Sequence, residues 1–240
     1  MAKKFYLYEH RTTTLQEFVM RAVMRRPIHV RHANFQIADF SIRIDRGESV
    51  ALIGSNGSGK STALRLMAGI YPPSSGTIET HGRVVAVIEL GGSFHTELTG
   101  RENIGLYAAA LGLTRVEVVA SRADILEFAD LGEFIDVPLK YYSSGMKARL
   151  AFAVAVCISP DVLLLDEVLA VGDAAFRERC LERIRSYRAG GGTMVVVSHD
   201  LPSVRALCTR ALWLDGGAVR LAGPVDDVVA AYEAAAHRAH

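Results

Sequence analysis

Two short runs in this 240-residue chain hold the residue types best suited to chemistry. The first is Gly54-Ser55-Asn56-Gly57-Ser58-Gly59-Lys60-Ser61, followed by Thr62. Its spacing is G-x-x-x-x-G-K-[ST], in which the glycines let the backbone curl until its N–H groups face a row of phosphates. A cation at Lys60 suits the β- and γ-phosphates of a nucleoside triphosphate, and the hydroxyl of Ser61 suits Mg²⁺. The helix expected to begin here adds partial positive charge at Ser61 and Thr62. The second run is Val162-Leu163-Leu164-Leu165-Asp166-Glu167, two carboxylates where an apolar strand should end. Asp166 suits holding Mg²⁺ through its water shell. Glu167 is the candidate general base that polarises an attacking water, a role that typically contributes about 10²–10⁴-fold. Together the two runs imply hydrolysis of a nucleoside triphosphate.

These groups must be brought together by strand ends, since ligands of open α/β sheets bind at the carboxyl ends of strands. The patterning predicts strands over Phe35–Ile44, Ser49–Ile53, Thr77–Thr80, Val84–Ile88, Val162–Leu165 and 193–198. Helices are expected over Lys60–Ala68 with Gly69 as a stop, over Arg101–Leu131, after Ser143, over 174–189, over 201–208 and from Asp226 to about His237. Pro138 breaks the helical pattern between 131 and 143. Ala211–Leu214, Asp215-Gly216-Gly217 and Ala218–Leu221 read as a hairpin. Strands alternating with helices predict an α/β fold with a mainly parallel sheet, with a helical block near 90–158 inserted into it. Upstream, residues 11–33 carry Leu15, Phe18, Val19, Ala22 and Val23 at helical spacing, with Arg21, Arg25 and Arg26 between them and Pro27 as the stop. That stretch reads either as a solvated amphipathic helix or as a membrane-proximal or partner-facing segment.

Composition narrows the class. Half the residues are hydrophobic, enough for a sizeable core. Lys and Arg number 27 against 26 Asp and Glu, so the chain is not built around nucleic-acid binding. Cys157, Cys180 and Cys208 form no Cys-x-x-Cys pair, and reduced, buried thiols are expected. The start, Met-Ala-Lys-Lys-Phe-Tyr, lacks the apolar core of a signal peptide. The longest apolar run, Leu150 to Ile158, is far short of the roughly 20 residues of a membrane span. A cytoplasmic chain is expected, carried to any membrane by another protein.

Between the two runs stands Tyr142-Ser143-Ser144-Gly145-Met146, where Ser143 or Ser144 suits a helix cap that leaves N–H groups for an anion. The set resembles the ATP-binding cassette (ABC) family, whose signature is usually Leu-Ser-Gly-Gly-Gln. Ser143 and Gly145 match it; Ser144 and Met146 depart. His199, in Val197-Ser198-His199-Asp200, resembles the switch histidine that senses γ-phosphate. Asp173, in Ala170-Val171-Gly172-Asp173, resembles the D-loop aspartate of the dimer interface. Where most cassettes have a Gln that contacts Mg²⁺ or water, Glu89 is the candidate, with Leu90 as the alternative register. For the aromatic that stacks on adenine, Phe5, Tyr6 and Tyr8 lie in the right region, and Phe5 is preferred.

The resemblance spans about residues 34–232. It implies a P-loop ATPase core, an antiparallel β portion and an inserted helical subdomain, all within one nucleotide-binding domain over 1–240. It also implies ATP and Mg²⁺ as cofactors. A second cassette, expected to be another copy, would meet the first head to tail, so that Lys60 of one and Ser143 of the other close on the same ATP. Glu97-Leu98-Thr99-Gly100-Arg101-Glu102-Asn103-Ile104, Tyr-Ser-Ser-Gly-Met and residues 170–180 look like the branch that exports bacterial surface polysaccharides: capsule, O-antigen or teichoic acid. That branch implies a separate membrane permease that handles the polymer, and a peripheral place on the cytoplasmic face of the inner membrane. Some members carry a C-terminal carbohydrate-binding domain, which is not expected here. Only 82 residues lie between Lys60 and Ser143, with no heptad run, unlike the soluble cassettes of DNA repair.

Overall fold

The computed structural model describes residues 3–8, 30–37, 40–88, 94–167 and 173–238, with side chains from Ile37 onward. Among the described residues, eight strands form two sheets. Strands β1 (Lys3–Tyr8) and β2 (Val30–Ile37) make an antiparallel pair. The main sheet has the order β4-β5-β6-β3-β7-β8, from β3 (Ser49–Ile53), β4 (Val84–Val87), β5 (Val162–Asp166), β6 (Thr193–Val197), β7 (Arg210–Asp215) and β8 (Ala218–Pro224). Every pairing in it is parallel except β7 with β8, the expected hairpin. Strand β3 is buried throughout, and its side chains alternate between the two faces. Ala51 and Ile53 join the core shared with the helical block, whereas Val50 and Leu52 join a second core with Ile37, Phe40 and the first helix.

Seven α-helices are described: α1 (Lys60–Met67), α2 (Gly100–Ala110), α3 (Arg115–Ala129), α4 (Ser144–Cys157), α5 (Ala174–Ala189), α6 (Leu201–Leu207) and α7 (Val225–Arg238). Helices α2 to α4 follow β4 and precede β5, so they form the insertion. In α4 the run from Leu150 to Cys157 is buried residue by residue, as a helix apolar all round must be. In α5 only Phe176, Cys180 and Ile184 are buried, one per turn on a single face. Phe128, Phe152 and Phe176 pack ring to ring, with centroids 5.6–6.3 Å apart, and tie α3, α4 and α5 together. All three cysteines are free and buried, as expected.

Several expectations need correction. Thr77–Thr80 is not a strand; its residues are mostly exposed, and Gly76 and Gly82 on either side take positive φ. The strand expected over Phe35–Ile44 ends at Ile37, although Ile42 and Ile44 still lean on the core. One helix over Arg101–Leu131 is instead two, because Gly112 at φ 82 turns the chain between them. Residues 11–29 of the predicted amphipathic segment lie outside the described residues, and 30–33 belong to β2.

Both α2 and α3 begin with a reciprocal capping box, Thr99 with Glu102 and Thr114 with Glu117. The Thr114 N–H and hydroxyl, then Arg83, hold the Glu117 carboxyl down at about 2. A depressed carboxyl contributes stability above its ordinary value of 4.5 and loses it as pH falls toward about 2. The urea midpoint of the parent should therefore exceed that of Glu117→Gln at neutral pH, and the gap should shrink below pH 4.5. A gap unchanged down to pH 2 would contradict the assignment.

Candidate functional site

The ends of β3 and β5 converge because β6 pairs with both. Leu52 lies beside Val197, and Asp166 also lies beside Val197. From β3 the chain turns through residues 54–59 into α1. Gly54, Gly57 and Gly59 have φ of 148, 80 and 107, a run of positive values that only glycine adopts at low cost. A Cβ on Gly54 would lie 2.2 Å from the carbonyl oxygen of Leu214, so the loop rests directly on the β7–β8 hairpin. The N–H of Gly217 donates to the Ser58 carbonyl at 3.1 Å and fixes the same contact from the turn.

An open cleft of about 420 Å³ lies over this loop, lined by Asn56, Gly57, Gly59, Lys60, Ser61, Thr62, Asp166 and Glu167. Lys60 is buried, and its ammonium donates to the carbonyls of Gly54 (2.8 Å) and Ser55 (2.9 Å). Burial lowers its pKa, while Glu167 and Asp166 oppose that shift. The Ser61 hydroxyl donates to Asp166 Oδ1 at 3.2 Å. Burial raises the Asp166 pKa, against the hydrogen bond from Ser61 and with the negative charge of Glu167. A half-buried carboxylate beside a hydroxyl, with a second carboxylate next to it, is a fitting set of hard oxygen donors for Mg²⁺. Among the described residues no three His, Cys, Asp or Glu side chains form a metal cage. Mg²⁺ held by one or two carboxylates plus substrate phosphates needs none. Ser58 Oγ is buried without a partner, the one such side-chain atom among the described residues.

Glu167 follows β5 with φ 50, in the left-handed region. Its N–H still donates to the Val197 carbonyl at 2.9 Å, and its Oε1 lies 3.4 Å from Nδ1 of His199. The strand ends therefore bring Lys60, Ser61, Asp166, Glu167 and His199 together. Ser143, Ser144, Gly145 and Asp173 do not line this cleft. Ser143 is the N-cap of α4, its hydroxyl accepting from Met146 N–H at 3.2 Å, which decides between the two serines. Asp173 caps α5 through Phe176 N–H (2.8 Å), which, with Arg149, lowers its pKa. Sequence reasoning passed over Arg149, which pairs with Asp173 and stacks 4.9 Å from the Phe176 ring centroid. Its place one turn beyond Gly145, just before the apolar run that starts at Leu150, was the available signal. Glu89 and residues 170–172 lie outside the described residues; Phe5 falls in β1, and its side chain is likewise outside them.

With this geometry in view, the comparisons decide the family. The sequence matches the family described as ABC transporter over residues 37–170. The chain belongs to the ABC transporter family. It is 43% identical over 235 residues to an O-antigen export system ATP-binding protein of Klebsiella pneumoniae, covering 98% of this chain and 96% of that one. It is 45% identical over 201 residues to a teichoic acids export ATP-binding protein of Bacillus cereus, covering 84% of this chain and 36% of that longer protein. An ATP-binding subunit of an ABC transporter superposes with a TM-score of 0.71 at 27% identity, over 80% of this chain and 85% of that one. The chain is thus a nucleotide-binding ATPase of this family, with the mainly parallel sheet and antiparallel portion expected of it.

The left-handed backbone at Glu167 makes a separable prediction. Glu167→Gly and Glu167→Ala both delete the carboxylate, but only glycine relieves the strain. The Gly variant should be the more stable of the two by about 1 kcal/mol in urea unfolding. An Ala variant equal to or more stable than Gly would mean that the backbone there is unstrained.

Proposed function

We propose that the chain is the motor subunit of an exporter of a lipid-linked surface polysaccharide, O-antigen, capsule or teichoic acid. One observation carries the catalytic half of the reading: a single cleft joins the glycine-rich loop and Lys60 to the Asp166-Glu167 pair. In this reading the backbone N–H groups of residues 54–61 and the Lys60 ammonium hold the phosphates of ATP. Lys60 exchanges its two loop carbonyls for phosphate oxygens. Ser61 and Asp166 hold Mg²⁺, which when bound spreads the negative charge of the phosphates. Glu167 orients and accepts a proton from the attacking water, and His199 holds the Glu167 carboxylate and reads the γ-phosphate. Glu89 adds an oxygen near the metal, and Phe5 stacks on adenine.

The exclusion of Ser143, Ser144, Gly145 and Asp173 from the cleft supports a head-to-tail homodimer, in which these groups face the ATP held by the other copy. ATP binding closes the two copies and hydrolysis reopens them. The names of the Klebsiella and Bacillus relatives support the export of a cell-surface polymer. No helix among the described residues is long and apolar enough to cross a membrane. In this reading the chain is a peripheral subunit on the cytoplasmic face, with a separate permease carrying the polymer.

Glu167→Gln should bind ATP with near-parental affinity and lose about 10²–10⁴-fold in turnover, read by phosphate release. Placed in the host chromosome, the same variant should deplete surface glycan and accumulate lipid-linked glycan inside the cell. Near-normal turnover would remove Glu167 as the base. Lost turnover with both glycan pools unchanged would point to another exported substrate.

A further inference from the structure

We propose that Asn103 is a positioning residue for the Ser143 half of the composite site. It locks residues 95–99 onto α2, and they in turn hold the backbone that leads into Ser143. The proposal rests on the head-to-tail reading above.

Asn103 lies in the first turn of α2 and is fully buried. Both ends of its carboxamide are used, all on main-chain groups of one loop. Oδ1 accepts from His95 N–H at 2.8 Å. Nδ2 faces the carbonyls of His95 (3.0 Å), Leu98 (3.1 Å) and Thr99 (2.9 Å), so its two hydrogens are shared among three acceptors. The loop passes this constraint on. Leu139 N–H donates to the Leu98 carbonyl at 2.9 Å, and Lys140 N–H to the Thr96 carbonyl at 2.8 Å. The Lys140 ammonium meets Glu97 at 2.7 Å, and Thr99 bridges to Pro138. Tyr142 completes the seat: its hydroxyl donates to the Phe134 carbonyl, and a Cβ on Gly100 would lie 2.3 Å from that hydroxyl oxygen. Ser143 comes next and caps α4.

None of these groups lines the cleft at Lys60. A change at Asn103 should therefore spare ATP binding by one copy and disturb the surface that a second copy offers. Asn103→Asp is nearly isosteric and keeps the acceptor for His95, but it turns an oxygen toward the carbonyls that Nδ2 now satisfies. A buried amide network of this kind fixes geometry, and a half-satisfied one loses it.

The test places Asn103→Asp in the Glu167→Gln background, where ATP persists. Three quantities are read: ATP affinity of dilute protein, amide exchange at Leu139 and Lys140, and ATP-dependent dimerisation by light scattering. The expected result is ATP affinity within about twofold of the parent, exchange at those amides faster by about tenfold, and dimerisation weaker by about tenfold. Asn103→Ser, which removes the buried carboxamide without burying a charge, should move exchange and dimerisation in the same direction, and it carries the test if the Asp variant does not fold. Unchanged exchange or unchanged dimerisation overturns the proposal. So does a parallel fall in ATP affinity, which a general loss of fold would produce. A Glu167→Gln parent that fails to dimerise with ATP would instead remove the head-to-tail reading, and the proposal with it.

Discussion

The site depends on two parallel strands reaching the same level on either side of a third. Val197 at the end of β6 lies beside both Leu52 of β3 and Asp166 of β5. A slip of one residue in either pairing would carry the glycine-rich loop away from the carboxylates and turn the slipped strand's buried side chains to the opposite face. Both faces are close-packed, so a slip would exchange side chains of different volume between the two cores and cost packing energy. Val50 and Leu52 face one core, Ala51 and Ile53 the other, and all four are fully buried. The register that buries these strands is therefore the register that assembles the site.

That convergence places one ammonium and two carboxylates where water is partly excluded. Burial disfavours the charge on both Lys60 and Asp166, and the charges compensate one another only in part. A cleft of this kind is poorly suited to a bare polyphosphate, which would meet two carboxylates. It suits a polyphosphate that arrives with a divalent cation, whose charge reverses the local balance. The β7–β8 hairpin fixes the loop on its other side, through the close approach of Gly54 to the Leu214 carbonyl and the bond from Gly217 N–H to Ser58.

What could be read in the sequence follows from how local its cause is. The strands at 49–53, 162–166 and 193–197 show as continuous apolar runs because both faces are buried, and α5 shows through Phe176, Cys180 and Ile184. The glycine-rich loop and the Asp166-Glu167 pair were legible because their chemistry depends on residue type at fixed spacing. Thr77–Thr80 misled because β-branched residues there pair with no strand among the described residues, and propensity alone does not make a ladder. Arg149 and the role of Asn103 were missed for a different reason. Asp173, the partner of Arg149, lies 24 residues away, and the loop that Asn103 holds meets residues 138–140 only when the helical block folds.

Glu167 shows why the last step from fold to chemistry could not be read locally. A left-handed glutamate is disfavoured by about 1–2 kcal/mol, and nothing in the residues around it announces that conformation. It is held by a tertiary contact, the bond from its own N–H to the Val197 carbonyl. With φ at 50 its side chain lines the cleft, and Oε1 lies 3.4 Å from Nδ1 of His199. The strain is thus localised at the residue whose carboxylate must be aimed, and the register between β5 and β6 holds it there.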